Sequence, residues 1–396
     1  AWVVGWNLVL EYALAAATVA VAWSEYLNKL LFESFGTKIP YEFCHSPFQT
    51  SIDGVQGIMN VPAFIIIAVL SLVLIRGTRG SIILNNIMVV LKIAIVVALI
   101  VIGWGYINPE NYTPYVPENI GEIKLMHGES SFWDFITSVD FGKFGLSGII
   151  SSAAVLFFGF IGFDALSTVA QECKNPSRDM PIGILVSLAI CTILYVLFGH
   201  VLTGVANYKE FATTGKEASV AYVIETYMHG YQWLSPLITV AILAGFTSVI
   251  LATLLGISRV FYTMSHDGLV PKIFSVLHPK FRTPYKSNLI FLVFAGSFAA
   301  FVPGNVVGDL TSLGTLFVFT LVCLGVLILR KTDPDRHRPF KTPLMPFVPI
   351  LGILVCVSMM FALNWVGLIV WSAIGFVIYL TYGVKNSVMR KAQRQK

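Results

Sequence analysis

Long apolar stretches, interrupted at intervals by short polar segments, run along the chain. VPAFIIIAVLSLVLI from Val61 and IMVVLKIAIVVALIVIGW from Ile87 match the roughly 20 residues a helix needs to cross hydrocarbon. Hydropathy predicts ten spans, centred roughly on residues 16, 67, 95, 157, 193, 247, 293, 319, 355 and 374. Only Asn364 and Trp365 separate the last two.

Composition agrees with this pattern. Apolar residues make up 56% and charged residues 12% of the chain, too little charge to cover a water-facing surface. The predicted class is an all-α polytopic membrane protein. Ala1 to Leu31 reads as a complete helix without the layout of a signal peptide, so the chain reads as a fragment whose beginning is missing.

Charge sets the predicted sidedness. Arg76, Arg79, Lys174, Arg178, Lys272, Lys280, Arg282 and Lys286 fall in one set of alternate loops, with Arg330 to Lys341 and a basic tail from Lys385. The opposite loops carry Lys29, Lys38, Lys124, Lys143, Lys209 and Lys216 among many carboxylates. Basic residues are retained on the cytoplasmic side, which places both ends of the chain in the cytoplasm of a plasma (inner) membrane protein. The net charge of +5 follows from this sidedness and calls for membrane lipid rather than nucleic acid as a partner.

Several chemistries find no pattern. The five cysteines are scattered without CxxC spacing, and the seven histidines show no ligand spacing, so no metal site is predicted. HExxH, GxSxG and Walker-type loops are absent, which speaks against an enzyme. Asn111-Tyr112-Thr113 fits a glycosylation sequon, a pattern short enough to arise by chance.

Charged residues inside spans default to function, because each costs about 2.5 to 3.5 kcal/mol at the bilayer centre. Lys92 lies about nine residues beyond the edge near Ile83, roughly 13 Å deep, with apolar neighbours and no local carboxylate. It is the candidate proton carrier, a lysine chain snorkelling to the interface being the plainer reading. Glu11, in the first span, fits either a polar path or a helix partner. Arg259, close to a cytoplasmic turn at Met264 to Gly268, reads as structural.

The stretch LFFGFIGFDA from Leu156 breaks the apolar pattern in another way. Gly159 and Gly162 make unwinding cheap, and an unwound segment at membrane depth is tolerated where it lines a cavity or is buried in protein. Phe158, Phe160 and Phe163 would close over a ligand there, and Asp164 would brace or cap a second half-helix. Close helix packing at the two glycines is the alternative, and spacing alone leaves both open.

FFGFIGFDALSTVAQECKNPSRDMPIGI from Phe157 and LLGISRVFYTMSHDGLVPKIFSVLHPKFRTPYKSN from Leu254 resemble the cationic amino acid transporter branch of the amino acid–polyamine–organocation superfamily. The resemblance covers essentially the whole chain. It implies a LeuT-type fold of two inverted five-helix repeats and two further helices, in which the ten spans are helices 3 to 12. Residues 1–107 would be the remainder of the first repeat (helices 3 to 5), 108–143 an extracellular loop, 144–330 the second repeat (helices 6 to 10), and 331–396 helices 11 and 12 with the basic tail.

The same resemblance implies that backbone carbonyls of Phe158, Gly159 and Ile161 receive a substrate α-ammonium group. Phe163 would be the aromatic gate and Thr253 would line the side-chain pocket. Lys92 matches a lysine of proton-coupled members, so the proton is the expected coupling ion and no other cofactor is expected. Glu11 and Asp164 remain candidate polar partners. The expected function is proton-coupled amino acid uptake by alternating access, with small neutral or broad substrates favoured over cationic ones and an exchanger or sensor as the alternative. Helix 1, which would hold the substrate carboxylate, is wanting, so the chain by itself is expected to lack measurable substrate affinity.

Overall fold

A computed structural model describes residues 2–51, 53–77, 79–119, 124–125, 139–140, 144–165, 173, 175–213, 219–231, 233–335, 337–338, 340–388 and 390–391. Residues 79–85, 124–125, 139–140, 212–213 and 219 are described by their backbone alone. Among the charges used for sidedness, Lys143, Lys174, Lys216, Arg336, Arg394 and Lys396 lie outside the described residues, as does most of the predicted 108–143 loop.

The described chain is almost entirely helical; one short antiparallel pairing joins Lys124–Leu125 to Val139–Asp140. The described residues hold ten apolar helices, six of them long enough to cross a membrane and four shorter, and each predicted span centre falls inside one of them except 157, which falls in the 3₁₀ turn that continues the fourth. In chain order these are α1 (Trp2–Phe35), α2 (Val61–Arg76), α3 (Arg79–Gly103), α4 (Gly145–Leu156), α5 (Pro176–Val205), α8 (Leu234–His266), α9 (Tyr285–Phe301), α10 (Gly304–Thr332), α11 (Phe347–Met360) and α12 (Val366–Ile378). Two short helices, α6 (Tyr208–Thr213) and α7 (Ser219–Tyr227), lie between α5 and α8.

Local chemistry sets the ends. Asn60 accepts from Ala63 N at 3.1 Å, with Pro62 in the first turn, so α2 begins where one free N–H is satisfied and a second is absent. The predicted weak boundary between the last two spans exists because Asn364 accepts from Val366 N at 2.9 Å and starts α12. Asn111 donates from its side chain to Gly204 O at 2.8 Å, which commits the sequon asparagine to packing against the end of α5.

The core gathers around α1, which packs on α2, α8, α9 and α10. Small residues permit these approaches. A Cβ on Gly314 of α10 would stand 2.7 Å from Leu10 Cβ, and one on Gly375 of α12 would stand 2.3 Å from the Trp6 ring. Lipid offers no hydrophobic drive between helices, so this close packing, together with polar contacts, carries the association. Trp6 donates to Trp371 O at 2.9 Å, Trp371 donates to Trp6 O at 3.2 Å, and the two rings stack with centroids 4.6 Å apart. By contrast α5 lies near the surface, with Ile193 and Val196 among its exposed residues. At the far end of α1, Lys29 pairs with Glu33 at 3.4 Å and with Glu225 of α7 at 3.5 Å.

Candidate functional site

The break predicted at LFFGFIGFDA is present. After α4 the chain tightens into a 3₁₀ turn, Phe157–Phe160, and then leaves helical geometry at Ile161, whose ψ is 135°. Gly162 follows with φ +114°, a conformation that a side chain rarely allows. Gly159 keeps the 3₁₀ turn, so the two glycines that looked equivalent are not: Gly162 makes the break. Residues 166–172, which would carry the second half-helix, lie outside the described residues.

The freed backbone groups find specific partners. Phe158 O accepts from Ile161 N at 3.2 Å, and Gly162 O accepts from Ala165 N at 3.1 Å. Gly159 O accepts from the hydroxyl of Tyr195 on α5 at 2.7 Å. Two of the three carbonyls expected to receive a substrate ammonium therefore already hold one donor each. A carbonyl has two lone pairs, so each can take a ligand beside its donor or in that donor's place.

Asp164 braces the break. Its Oδ1 accepts from Gly162 N at 3.3 Å and its Oδ2 accepts from the Tyr12 hydroxyl at 2.5 Å. Tyr12 belongs to a π-helical turn of α1, Leu10–Leu14, in which all five residues are buried. Such turns often mark functional positions, because they displace side chains from the regular helical face. The Tyr12 ring lies over Gly256 of α8, at ordinary contact distance of 3.7 Å from where a Cβ would stand.

Glu11 occupies the same π turn and is fully buried. It lies within electrostatic reach of Asp164. The fold brings these two carboxyls, distant in sequence, together. Phe163 packs on Phe319 of α10 with ring centroids 5.1 Å apart, and Phe157 meets the same ring at 5.6 Å.

Among the described residues, neither Lys92 nor Thr253 hydrogen-bonds to the break. Lys92 is half-buried on α3, beside Gly245 of α8, where it borders a cavity of about 380 Å³ with Tyr26, Phe198 and Phe246. It makes no salt bridge with the described residues. Thr253 is buried on α8, and its hydroxyl donates to Val249 O at 2.9 Å and Ile250 O at 3.1 Å. Its hydroxyl is thus spent on its own helix, leaving size as what the side chain contributes.

Tyr12, Tyr195 and Phe319 escaped sequence reasoning. Each is an aromatic residue within an apolar helix, and only the break it touches distinguishes it. Tyr12, directly after Glu11, had the nearest thing to a signal.

Comparison with known proteins identifies the family. A family profile described as "Amino acid permease" matches residues 1–384. The branched-chain amino acid permease BcaP of Bacillus subtilis (strain 168) is 36% identical over 394 residues, 99% of this chain and 78% of that protein. The methylthioribose transporter of the same organism is 34% identical over 394 residues, with the same coverage of both chains. The vacuolar cationic amino acid transporter 4 of Arabidopsis thaliana is 30% identical over 346 residues, 85% of this chain and 51% of that protein. The helices are those of a multi-pass membrane transporter rather than an enzyme, and the chain belongs to the amino acid permease family.

Proposed function

We propose that the protein is a secondary active permease that takes up neutral amino acids, branched aliphatic ones among them, by alternating access and with protons as the coupling ion. The observation that carries this reading is the break at Ile161 and Gly162, braced to α1 through Asp164 and Tyr12. Unwound backbone at membrane depth supplies carbonyls at fixed positions, which suit an α-ammonium group. Phe158, Gly159 and Ile161 would offer those carbonyls, Phe163 would close over the ligand, and Thr253 would limit the side chain.

Neutral substrates fit the charges better than cationic ones. A cationic side chain needs a carboxylate of its own. Asp164 is already engaged by Tyr12 and Gly162, and Glu11 is wholly enclosed. The branched-chain permease among the relatives points the same way. Lys92 would carry the proton, alternately charged and neutral as the two sides of the membrane take turns. The chain would sit in the plasma membrane with both ends in the cytoplasm, residues 1–107 and 144–330 forming the two repeats.

The test is uptake of labelled leucine, alanine, arginine and methylthioribose by the full-length gene product in proteoliposomes under an inward proton gradient. Leucine and alanine uptake that collapses with the gradient bears the reading out. Arginine or methylthioribose as the preferred substrate overturns the substrate assignment. Gradient-independent uptake that needs internal substrate replaces symport with exchange.

A further inference from the structure

A carbonyl freed at membrane depth is stabilised by a donor built into the protein, which remains when a ligand departs. Gly159 O has one built into the protein. The Tyr195 hydroxyl reaches it at 2.7 Å from α5, about 15 Å from the Val205 end of that helix at 1.5 Å per residue. The bond links two separate elements, 36 residues apart, and the approach is close: a Cβ on Gly159 would stand 3.8 Å from the Tyr195 ring.

The phenol also has room to leave. Tyr195 is 47% exposed, held on one side by an edge-on contact with Phe160 at 5.2 Å between centroids. Cys191, one turn back on α5, interacts with the same phenol and offers its sulfur as a weaker alternative acceptor.

We propose that Tyr195 is a positioning residue that acts as a stand-in donor: its hydroxyl holds the Gly159 carbonyl when the amino acid has left and yields that carbonyl when an ammonium group arrives. This rests on the reading above, in which Gly159 O receives the substrate ammonium. The consequence is specific to one half of the cycle. Return of the unloaded carrier depends on the hydroxyl, whereas movement of the loaded carrier does not. Exchange uses only loaded movements; net uptake requires the unloaded return.

The test is Tyr195→Phe in the full-length gene product, reconstituted in proteoliposomes with labelled leucine as the probe. Net uptake into leucine-free vesicles and exchange into leucine-loaded vesicles are measured side by side. The expected result is net uptake lowered roughly fivefold, the weight of one neutral hydrogen bond, with exchange unchanged within about twofold and leucine bound more tightly. Equal loss in both modes, or no change in either, overturns the proposal. Phe160→Leu removes the ring contact but keeps the hydroxyl and should lower both modes together; if it separates them as Tyr195→Phe does, the hydroxyl is not the cause and the proposal falls. Wild-type protein that moves no leucine in either mode removes the permease reading itself, and this inference with it.

Discussion

The hydroxyl of Tyr12 donates to Asp164 at 2.5 Å, joining the π turn of the first helix to a broken segment 152 residues further on. Tyr12 is 1% exposed and Asp164 half-buried, so among the described residues the phenol has no other partner and the carboxylate has only partial access to solvent. A hydrogen bond contributes about 0.5–1.5 kcal/mol, and leaving a buried partner unsatisfied costs about 1–3 kcal/mol. Tyr12→Phe is therefore expected to lower uptake by roughly tenfold or more at equal folded yield, and to lower the unfolding midpoint. Asp164→Asn keeps an acceptor for the phenol and should cost less than Asp164→Ala. Uptake and melting by Tyr12→Phe indistinguishable from wild type would show that the bond does not hold the break.

The two glycines of the break should respond differently to the same change. Gly162 has φ +114° and no described atom within 4 Å of its Cβ direction, so Gly162→Ala is penalised by the backbone, by about 1–3 kcal/mol. Gly159 lies in a 3₁₀ turn with its nearest neighbour at 3.8 Å, an ordinary contact. Parallel uptake assays should find Gly162→Ala strongly impaired and Gly159→Ala close to wild type. The reverse order would place the essential unwinding at the wrong residue.

Packing against the π turn gives a stability prediction. A Cβ on Gly314 would stand 2.7 Å from Leu10 Cβ, the rigid base of a side chain rather than its flexible tip. Gly314→Ala must push α10 away from α1, an overpacking cost of about 1–3 kcal/mol. The expected readout is a lower melting midpoint in detergent. Unchanged melting would mean that the two helices part at no cost.

How much of this was legible follows from what each signal depends on. The ten spans were readable because hydropathy is a local property, and the break because glycine and aspartate are conspicuous in an apolar run. The unequal roles of Gly159 and Gly162 were not, since they depend on which residue takes a positive φ. Tyr12, Tyr195 and Phe319 were hidden among aromatic residues that suit any membrane helix. Their partners lie on other helices, and only tertiary packing selects them. The Glu11 and Asp164 pairing was concealed for the same reason.

Thr253 tests whether size alone governs the side-chain pocket. Its hydroxyl is satisfied within α8, so Thr253→Val, which keeps the shape, should leave the ratio of leucine to alanine uptake nearly unchanged. Thr253→Ile adds volume and should shift preference toward alanine, and Thr253→Ser should relax it toward larger side chains. One methylene in an apolar pocket is worth about 1–3 kcal/mol, so the ratio should move by roughly tenfold. A ratio that ignores all three variants would remove Thr253 from the pocket.

Lys92 offers the sharpest separation of coupling from transport. Its Cδ lies 3.7 Å from the Cβ direction of Gly245, and the cavity it borders is lined by apolar and aromatic residues. Methionine has a similar length and no charge, so Lys92→Met can fill the same space without creating an unsatisfied group. With one proton per substrate, each unit of pH difference can drive about tenfold accumulation, the equivalent of about 1.4 kcal/mol. Wild-type protein is expected to approach that ratio, whereas Lys92→Met should only equilibrate leucine and should lose the dependence of its rate on pH. Exchange of leucine for leucine should survive, because it needs no proton gradient. If Lys92→Met still accumulates leucine under an imposed gradient, the proton travels by another group, and the two carboxyls at Glu11 and Asp164 become the place to look.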